Sequence, residues 1–348
     1  MPLFAGFDLG GTQLKYGLLD ERLNPAFKDR APSPPTMGKL MALFRDLWEE
    51  LKKKERRTIR AVGFGFPGIF SLREQKFIQS PNYPSLDGSL LRPAMARFVE
   101  VPFWIDNEAN LAAYGEYRCG AGKGVRHLML ITLGTGVGSG IIIDEKILRG
   151  SCGYAAEMGH MTVHPDGERC RCGSHGCLET EASAGAIIRN YRRLTRSPES
   201  LTAEDIAARA RKGDAAARRS FERAGFYLGI GLGIALNMFN PEKILLGGGV
   251  MDSDDLILPP AIAEAGRRAY RASFACSTIE KAALGNDAGF IGAAAWARDM
   301  FARNRGRSPR GHPLHQPGFA IVGSKGVPLG SVPRPEVDDM AGELHNKR

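Results

Sequence analysis

The sequence lacks an apolar run long enough to cross a membrane. Even the run at residues 226–239 covers only 14 residues and is interrupted by three glycines, whereas a spanning helix needs about 20 apolar residues. A charged residue, Asp8, stands inside the first apolar segment, which argues against a signal peptide there. We therefore expect a cytoplasmic protein that does not enter a membrane.

The composition also lacks the marks of a disordered chain, a collagen or a small disulfide-rich protein. The 348 residues are 43% hydrophobic and 24% charged, and only six are cysteine. Glycine alone is unusually frequent, with 43 residues, or about 12% against a usual ~7%. A chain of this length buries roughly three quarters of its unfolded surface and can form two domains.

No strong excess of positive charge covers the main part of the chain. The net charge is +9, but residues 303–348 contain eight Lys or Arg and only four Asp or Glu. The remaining excess is ordinary for an enzyme that handles phosphates, and a nucleic-acid partner is not expected. Because residues 303–348 are rich in Arg, Pro, Gly and Ser without periodicity, we predict a disordered basic tail.

Hydrophobic periodicity predicts an alternation of strands and helices. Strands are predicted at residues 3–9, 14–20, 61–66, 128–133, 140–147 and 243–246. Helices are predicted at residues 40–51, 110–119, 183–191, 202–212, 215–239 and 287–301. Two strand hairpins, each followed by helices, predict two α/β lobes of related design.

Three glycine-rich turns follow predicted strands. They are Gly10-Gly11-Thr12, Gly134-Thr135-Gly136 and Gly247-Gly248-Gly249. Glycine lets backbone N–H groups approach an anion closely and threonine adds a hydroxyl donor, so the turns are candidates for phosphate binding. The P-loop fingerprint is absent, since Gly122-Lys123-Gly124 fails at both ends. The Rossmann fingerprint is absent too, because the first turn leads into another strand.

Two phosphate hairpins and a third glycine turn resemble the two-lobed fold shared by actin, hexokinase and acetate kinase. That resemblance implies an α/β, ribonuclease H-like fold with nucleotide and sugar in the cleft between the lobes. It also implies ATP and Mg²⁺, with Asp8 holding the metal near the phosphates. The residues implied in binding ATP and Mg²⁺ are Asp8, Gly10, Gly11, Thr12, Lys15, Gly134, Thr135, Gly136, Gly247, Gly248 and Gly249.

A cluster of cysteines predicts a zinc site. Three cysteines lie within eight residues and follow a histidine, which supplies a Cys₃His set for tetrahedral zinc. The candidate ligands are His160, Cys170, Cys172 and Cys177. His164 and His175 are alternative nitrogen ligands. The cysteines without a motif, predicted to be small buried residues, are Cys119, Cys152 and Cys276.

The chain resembles the ROK family of bacterial sugar kinases and sugar-responsive repressors, which includes glucokinases. The resemblance covers about residues 3–300 and includes Gly159-His160 followed by a C-x-C-G-x-x-G-C-x-E motif that ends at Glu179. It favours His160 over the other two histidines as the ligand of a structural zinc. It also implies a homodimer or a homotetramer.

The family resemblance further implies a hexose site. The residues that it places at the sugar are Gly68, Asn82, Asn107, Glu108, Glu157, His160 and Glu179. Carboxylates and amides suit the vicinal hydroxyls of a sugar, because they offer paired acceptors and donors. Their presence predicts that this chain binds a hexose.

The position of the catalytic base departs from the kinase pattern of the family. Kinases of the family usually have Asn-Asp-Ala-Asn, whose Asp takes the proton of the attacking hydroxyl, but this chain has Glu108 in that register. Glutamate is a competent base, yet its carboxylate lies one methylene farther out, and small misplacements are costly. Glu108 is the first choice for the base and Asp106 the second.

The predicted function is ATP-dependent phosphorylation of a hexose, most simply glucose to glucose 6-phosphate. N-acetylglucosamine, N-acetylmannosamine, mannose, fructose or allose stay open as acceptors, and polyphosphate as donor. The alternative is a sugar-sensing regulator, which Glu108 favours, although no DNA-binding segment is expected before Leu3. We expect residues 1–107 and 287–302 to form a smaller lobe and residues 108–286 a larger lobe, with the zinc loop at 157–179.

Overall fold

The computed structural model describes residues 1–71, 74, 76–80, 83–196 and 198–304. The strands are β1 (Leu3–Leu9), β2 (Gln13–Asp20), β3 (Pro25–Pro32), β4 (Ile59–Phe66), β5 (Ile69–Ser71), β6 (Lys76–Gln79), β7 (Phe103–Asn107), β8 (Leu128–Leu133), β9 (Val137–Ile143), β10 (Lys146–Ile147), β11 (Lys243–Gly247) and β12 (Thr278–Lys281). Asn82 and residues 305–348, on which two predictions fall, lie outside the described residues.

The α-helices confirm the strong periodic patterns and add shorter segments. They are α1 (Met37–Lys54), α2 (Leu91–Met95), α3 (Glu108–Cys119), α4 (Leu178–Ala182), α5 (Ala184–Thr195), α6 (Ala203–Arg211), α7 (Ala215–Phe239), α8 (Asp254–Arg268), α9 (Arg271–Ala275) and α10 (Ala288–Asn304). None of the helices in the described ranges is long and apolar enough to span a membrane.

Ten of the strands form two five-stranded sheets with the same connectivity. The order is β3-β2-β1-β4-β7 in the first sheet and β10-β9-β8-β11-β12 in the second. Each sheet contains an antiparallel hairpin, β1–β2 in the first and β8–β9 in the second. Two parallel strands continue the sheet beyond the first strand of the hairpin: β4 and β7 beyond β1, and β11 and β12 beyond β8. The two related α/β halves predicted from the sequence are present as these two sheets.

The parallel strands of the first sheet bring candidate functional residues to one edge. Asp8 near the end of β1 is in register with Gly65 of β4, and Gly65 is in register with Asp106 of β7. Because the carboxyl ends of parallel strands meet at one edge, the β7–α3 junction lies near the first glycine turn. The sheet register therefore assembles a site from segments about 100 residues apart.

Helices α3 and α10 share one core with residues from both sheets. This core contains Phe4 and Trp104 of the first sheet and Leu130 and Leu245 of the second. Helix α10 lies directly on the first sheet, since a Cβ on Gly63 would come within 2.1 Å of the Ala293 carbonyl oxygen. Glycine in β4 and small alanines in α10 thus permit a very close approach.

The outer faces of the two sheets are covered by other helices. A cluster of stacked and edge-to-face rings joins α1 to the first sheet, with Phe44 against both Phe7 and Phe64. The core of the second sheet includes residues of α7 and α8. Helix α8 escaped sequence prediction because Pro259 and Pro260 stand inside it, and interior prolines normally argue against a helix.

Candidate active site

The first glycine turn is the tip of the β1–β2 hairpin. The Gly10 N–H donates to the Gln13 carbonyl at 2.9 Å, and the Ser33 hydroxyl donates to the Gly10 carbonyl at 2.8 Å. Gly11 and Thr12 are exposed at the tip. Asp8 and Lys15 face each other in register near the turn of the hairpin. The predicted residues of the first phosphate turn therefore lie together.

The second and third glycine turns pack against each other. The Gly134 N–H donates to the Gly136 carbonyl at 2.9 Å in the turn between β8 and β9, which leaves Thr135 exposed. In the third turn, Gly248 has a φ of +85°, and a Cβ there would come within 2.4 Å of the Leu133 carbonyl oxygen. Glycine at position 248 is thus required for the third turn to meet the strand that leads into the second.

Two cavities adjoin the glycine turns. The larger, of about 560 Å³, is lined by residues of the first hairpin, including Gly10, Thr12 and Lys15. The smaller, of about 40 Å³, is lined by Gly247 and Gly248 of the third turn. Asn286 lines both, and its carbonyl accepts a hydrogen bond from Lys15 Nζ at 2.8 Å. Predicted residues of the first and third turns therefore line two neighbouring cavities that share Asn286, whereas the second turn, Gly134–Gly136, lines neither of these two.

The Glu108 carboxyl lies close to Asp8 of the first hairpin and is influenced by the charges of Asp8 and Glu157. A Cβ on Gly65 would lie 3.3 Å from Asp8 Oδ1 and 3.4 Å from the Glu108 Cα, so little space separates these residues. Burial, followed by the like charges of Asp8 and Glu157, raises the pKa of the Glu108 carboxyl well above its ordinary 4.5. Burial also raises the pKa of Asp8 to about 6, although Lys15 opposes the shift. Perturbed carboxyls gathered in a cleft are typical of a functional site.

The Glu157 carboxyl is carried by a strained segment. Ala156, just before it, has a φ of +71°, a conformation that costs a non-glycine residue energy. Ser139 of β9 holds the segment, since its hydroxyl donates to the Ala156 carbonyl and accepts from the Met158 N–H at 3.1 Å. Glu157 is exposed, yet displacement of water by the surrounding protein raises the pKa of its carboxyl.

Asn107, itself a predicted sugar residue, forms hydrogen bonds to both Gly68 and Glu108. Its side-chain oxygen accepts from the Ala109 and Asn110 N–H groups at 2.8 and 3.2 Å, which caps α3. Its Nδ2 donates to the Gly68 carbonyl at 3.1 Å and to Glu108 Oε2 at 2.8 Å. The structure thus uses Asn107 and Gly68 to orient the Glu108 carboxylate, which the sequence did not reveal.

Asp106, the second choice for the base, is engaged in a buried ion pair. Its Oδ2 accepts from Arg149 Nε at 2.9 Å and from Arg149 Nη2 at 2.5 Å. Its Oδ1 accepts from the Asn107 N–H and from Asn110 Nδ2 at 2.9 and 3.1 Å. With both oxygens occupied, Asp106 is suited to hold the β7–α3 junction, and Glu108 stays the favoured base.

The four predicted zinc ligands come together. One donor atom from each of His160, Cys170, Cys172 and Cys177 lies within 4.8 Å of the others. His164 does not belong to this set, since its Nδ1 lies 3.2 Å from Glu181 Oε1, and His175 is exposed outside it. Three thiols and one imidazole are the donors of a structural zinc site, so the residues fit that metal.

The other cysteines correct a sequence prediction. Cys119, Cys152 and Cys276 were expected to be buried, but Cys152 and Cys276 are exposed and Cys119 is only partly buried. A cysteine is among the most frequently buried residue types, and that tendency was the sole basis for the expectation. The local sequence contains no periodic pattern that would place these three side chains inside or outside.

Glu179 connects the cysteine cluster to the second glycine turn. Its Oε2 accepts from the Val137 N–H at 3.0 Å, and its Oε1 lies 3.9 Å from the Cys170 sulfur. A Cβ on Gly136 would come within 2.4 Å of Oε2, so a side chain there would displace the Glu179 carboxylate. A residue predicted to touch the sugar is therefore also in contact with a predicted phosphate turn.

Comparison with known proteins now adds a family to this geometry. The model of the ROK family matches residues 4–300. This chain belongs to the ROK family. It is 34% identical over 320 residues to a glucokinase of Streptomyces coelicolor, covering 86% of this chain and 98% of the relative. It is 33% identical over 240 residues to the xylose repressor of Bacillus subtilis, covering 69% of this chain and 61% of that relative.

A solved structure of the ROK family confirms the fold. The crystal structure of a Streptomyces griseus ROK glucokinase, in complex with glucose and AMPPNP, aligns with a TM-score of 0.73 at 33% identity. The alignment covers 85% of this chain and 99% of that chain. The expected α/β fold of the actin and hexokinase type is therefore confirmed for this ROK chain.

Two charged residues of this ROK chain that make buried contacts are not marked by any sequence motif. One is Arg149, the partner of Asp106. The other is Glu116, fully buried at the end of α3, whose carboxylate accepts from the N–H groups of Ala121, Ala283 and Leu284 at 2.9, 3.2 and 2.7 Å. A glutamate among the small and apolar residues of α3 was the available signal for Glu116. No local pattern marks Arg149.

Glu108→Gln is expected to raise the melting temperature of the ligand-free ROK protein at pH 8. Because folding raises the pKa of Glu108 above its ordinary 4.5, the stability from this group is complete below that value and is lost as the pH rises through the raised pKa. Glutamine keeps the size and removes the buried charge. Melting curves from pH 5 to 8 in Mg²⁺-free buffer should show a gain that grows with pH.

Glu55→Gln is the matched control with the opposite sign. Hydrogen bonds from Arg57 hold the pKa of Glu55 at about 2, so its stabilising effect is present at neutral pH and is lost only on acidification. This variant should melt at a lower temperature than the wild type at pH 8. If Glu108→Gln also melted lower at pH 8, the charge at position 108 would not be destabilising.

Proposed function

We propose that this ROK protein transfers the γ-phosphoryl group of ATP to the 6-hydroxyl of a hexose, with glucose as the first candidate. The glucokinase relative, covered over 98% of its length, shows the hexose kinase class. The observation that supports the chemistry is the Glu108 carboxyl, which lies close to Asp8 of the first hairpin and has a raised pKa, as expected of a base at that position.

Glu108 is proposed to act as the general base. It would accept the proton of the sugar 6-hydroxyl while the hydroxyl oxygen bonds to the γ-phosphorus and the bond to ADP breaks. A base works best when its pKa lies near the operating pH, and burial moves Glu108 in that direction. The hydrogen bond from Asn107 Nδ2 at 2.8 Å fixes one of its oxygens.

Asp8 and the glycine hairpins are proposed to bind Mg²⁺ and ATP. Removal of Asp8 from water raises its pKa to about 6, and an oxygen ligand with little solvation suits a hard divalent cation. When bound, Mg²⁺ neutralises charge that develops on the phosphates. The proposed phosphate donors are the backbone N–H groups of Gly10, Gly11, Thr12, Gly134, Thr135 and Gly136, with Lys15 as a cation.

The hexose is proposed to lie between Glu108 and the cysteine cluster. Glu157, His160 and Glu179 approach from the segment at 157–179, and Asn107 and Gly68 from the first sheet; Asn82 is also proposed. Displacement of water by the surrounding protein raises the pKa of Glu157; His160 opposes this shift and Glu179 adds to it. Acidic groups of this kind are suited to accept hydrogen bonds from sugar hydroxyls.

A structural zinc is proposed at His160, Cys170, Cys172 and Cys177. The fit rests on the close grouping of the four donor atoms. The metal would hold the segment that carries two of the proposed sugar residues, His160 and Glu179. Because His160 is proposed both as a zinc ligand and as a sugar-binding residue, loss of the metal should weaken sugar binding as well as lower stability.

The two sheets support a proposed division into lobes and a proposed assembly. The first sheet lies within residues 1–107, and the strands of the second within residues 128–281. We assign residues 1–107 and 287–302 to the smaller lobe and residues 108–286 to the larger lobe. The family further suggests a homodimer or homotetramer, which light scattering of the purified protein would distinguish.

A sugar-sensing regulator is the second candidate, favoured by the repressor relative and by glutamate at position 108. The xylose repressor is matched over 61% of its length and the glucokinase over 98%. An assay of hexose phosphate formation, with ATP or polyphosphate as donor against a panel of hexoses, separates the two functions. Turnover of glucose supports the kinase, whereas binding of a hexose without turnover supports the regulator.

D-glucose at millimolar concentration is expected to raise the melting temperature of the protein. A ligand that binds only the folded state stabilises it by mass action, by about 2.7 kcal/mol at a hundred times its Kd. The shift should be small in Glu157→Gln and absent with L-glucose, which offers the same groups in mirror-image positions. If no hexose in the panel shifts the melting temperature, the proposed sugar pocket is wrong.

A further inference from the structure

Arg149 makes a buried contact that neither the sequence motifs nor the proposed mechanism uses. It lies two residues after β10, and its side chain is 13% exposed, while that of its partner Asp106 is 5% exposed. Its Nε and Nη2 both donate to Asp106 Oδ2, at 2.9 and 2.5 Å. The guanidinium also lies over the ring of Trp296 in α10, 4.6 Å from the ring centroid.

The contact with Trp296 restricts the guanidinium from a second direction. The indole packs edge-on against Tyr114 of α3, with ring centroids 5.0 Å apart. Its Nε1 is buried without a hydrogen-bond partner in the described part of the chain, so the ring is held by packing alone. A planar cation between a carboxylate and an aromatic face has one favourable orientation, which lysine does not reproduce.

Asp106 transmits this restraint to the start of α3. Its second oxygen accepts from the Asn107 N–H and from Asn110 Nδ2, and these two residues flank Glu108 in the chain. Asn107 in turn donates to Glu108 Oε2. A continuous set of hydrogen bonds thus runs from Arg149 through Asp106 and Asn107 to the carboxylate of Glu108.

We propose that Arg149 is a positioning residue for the catalytic base. It orients Asp106, which fixes the first turn of α3 so that the Glu108 carboxylate meets the sugar hydroxyl. This inference rests on the proposed kinase function. A buried ion pair is in itself weak evidence for a contribution to stability, whereas an error of about 1 Å in the place of a base can cost about 100-fold in rate.

The test compares Arg149→Met with Arg149→Lys in the full chain. Arg149→Met should lower kcat by about 10–100-fold, and the KM values for glucose and ATP should stay within about threefold of the wild type. Arg149→Lys keeps the charge without the planar fork and should recover part of the lost kcat. A purely structural role would lower the folded fraction instead and leave kcat per folded molecule unchanged.

Arg118→Met is the matched control. Arg118 also pairs with an aspartate, Asp299, at 3.0 Å and lies over Tyr117 at 5.9 Å, but at the far end of α3 from Glu108. The kcat of Arg118→Met should equal that of the wild type. Melting curves of all variants give the folded fraction to which each rate is referred.

Three outcomes would overturn the proposal. If Arg149→Met folds and has the kcat of the wild type, the proposal is contradicted. If Arg149→Met does not fold, a wild-type kcat in Arg149→Lys contradicts the proposal. A tenfold loss in Arg118→Met would show that the effect is not specific to Arg149. If the wild type phosphorylates no hexose, the kinase function fails first and the role of Arg149 fails with it, which separates the two failures.

Discussion

Glu108→Gln is expected to lower kcat by about 10²–10⁴-fold, the usual contribution of a general base, while the affinity for the sugar changes little. Glutamine keeps the size of the side chain and can still interact with Asn107, but it cannot accept a proton. Because the same change is expected to stabilise the folded protein at pH 8, unfolding cannot explain the loss. Steady-state rates and sugar binding by calorimetry measure the two quantities separately.

The pH profile gives an independent measure of the same base. Burial and the charges of Asp8 and Glu157 raise the pKa of Glu108, and a base must be deprotonated to act. In the wild type, kcat/KM for the sugar should therefore fall on acidification at a pH clearly above 4.5, the ordinary pKa of the group. In Glu108→Gln, the contribution of position 108 to this dependence should be absent, whereas any contribution from Asp8, whose pKa is raised to about 6, should remain.

Two further variants decide whether the register of the base is correct. Glu108→Asp restores the usual residue of the family's kinases and should keep measurable activity. Asp106→Asn should have a milder effect than Glu108→Gln, because both carboxylate oxygens of Asp106 are already engaged. Abolished turnover in Asp106→Asn with intact turnover in Glu108→Gln would reverse the assignment. A wild type that binds glucose without turnover, with Glu108→Asp equally inactive, would favour the regulator.

Cys172→Ser is expected to remove zinc and to lower both the melting temperature and the affinity for the sugar. Structural zinc contributes an apparent 10–16 kcal/mol in small zinc domains. A net loss of about 4 kcal/mol would lower the melting temperature of a domain this large by roughly 10 °C. Cys172 is only partly buried, so the change removes a ligand without opening a cavity in the core.

The effect on the sugar follows from the residues attached to the cluster. His160 belongs to it, and Glu179 reaches from the Cys170 sulfur to the Val137 N–H of the second glycine turn. Metal analysis, melting curves and sugar titration are the measurements, and Cys152→Ser, at an exposed position, is the control. A metal-free preparation with unchanged melting and full activity would contradict a structural zinc.

Helices and strands could be predicted from the sequence where one face of the element is buried along its whole length. Helix α7 was predicted with its observed bounds, Ala215–Phe239, because its apolar pattern persists over many turns. Strand β3 was not predicted, since it is an edge strand with mostly exposed residues and begins and ends with proline. Burial on one face produces a periodic signal, and an exposed edge produces none.

The sequence by itself determined the elements whose chemistry is local. A glycine turn after a strand brings its own backbone N–H groups together, and three cysteines within eight residues bring their sulfur atoms together. Neither depends on how the rest of the chain packs. Only the tertiary structure decided which distant residues complete the site. Asp106 meets Arg149 across 43 residues and Glu116 meets Leu284 across 168, and such pairs depend on how two sheets and two central helices pack. No local spacing encodes that packing, so the orientation of Glu108 became visible only in the folded chain.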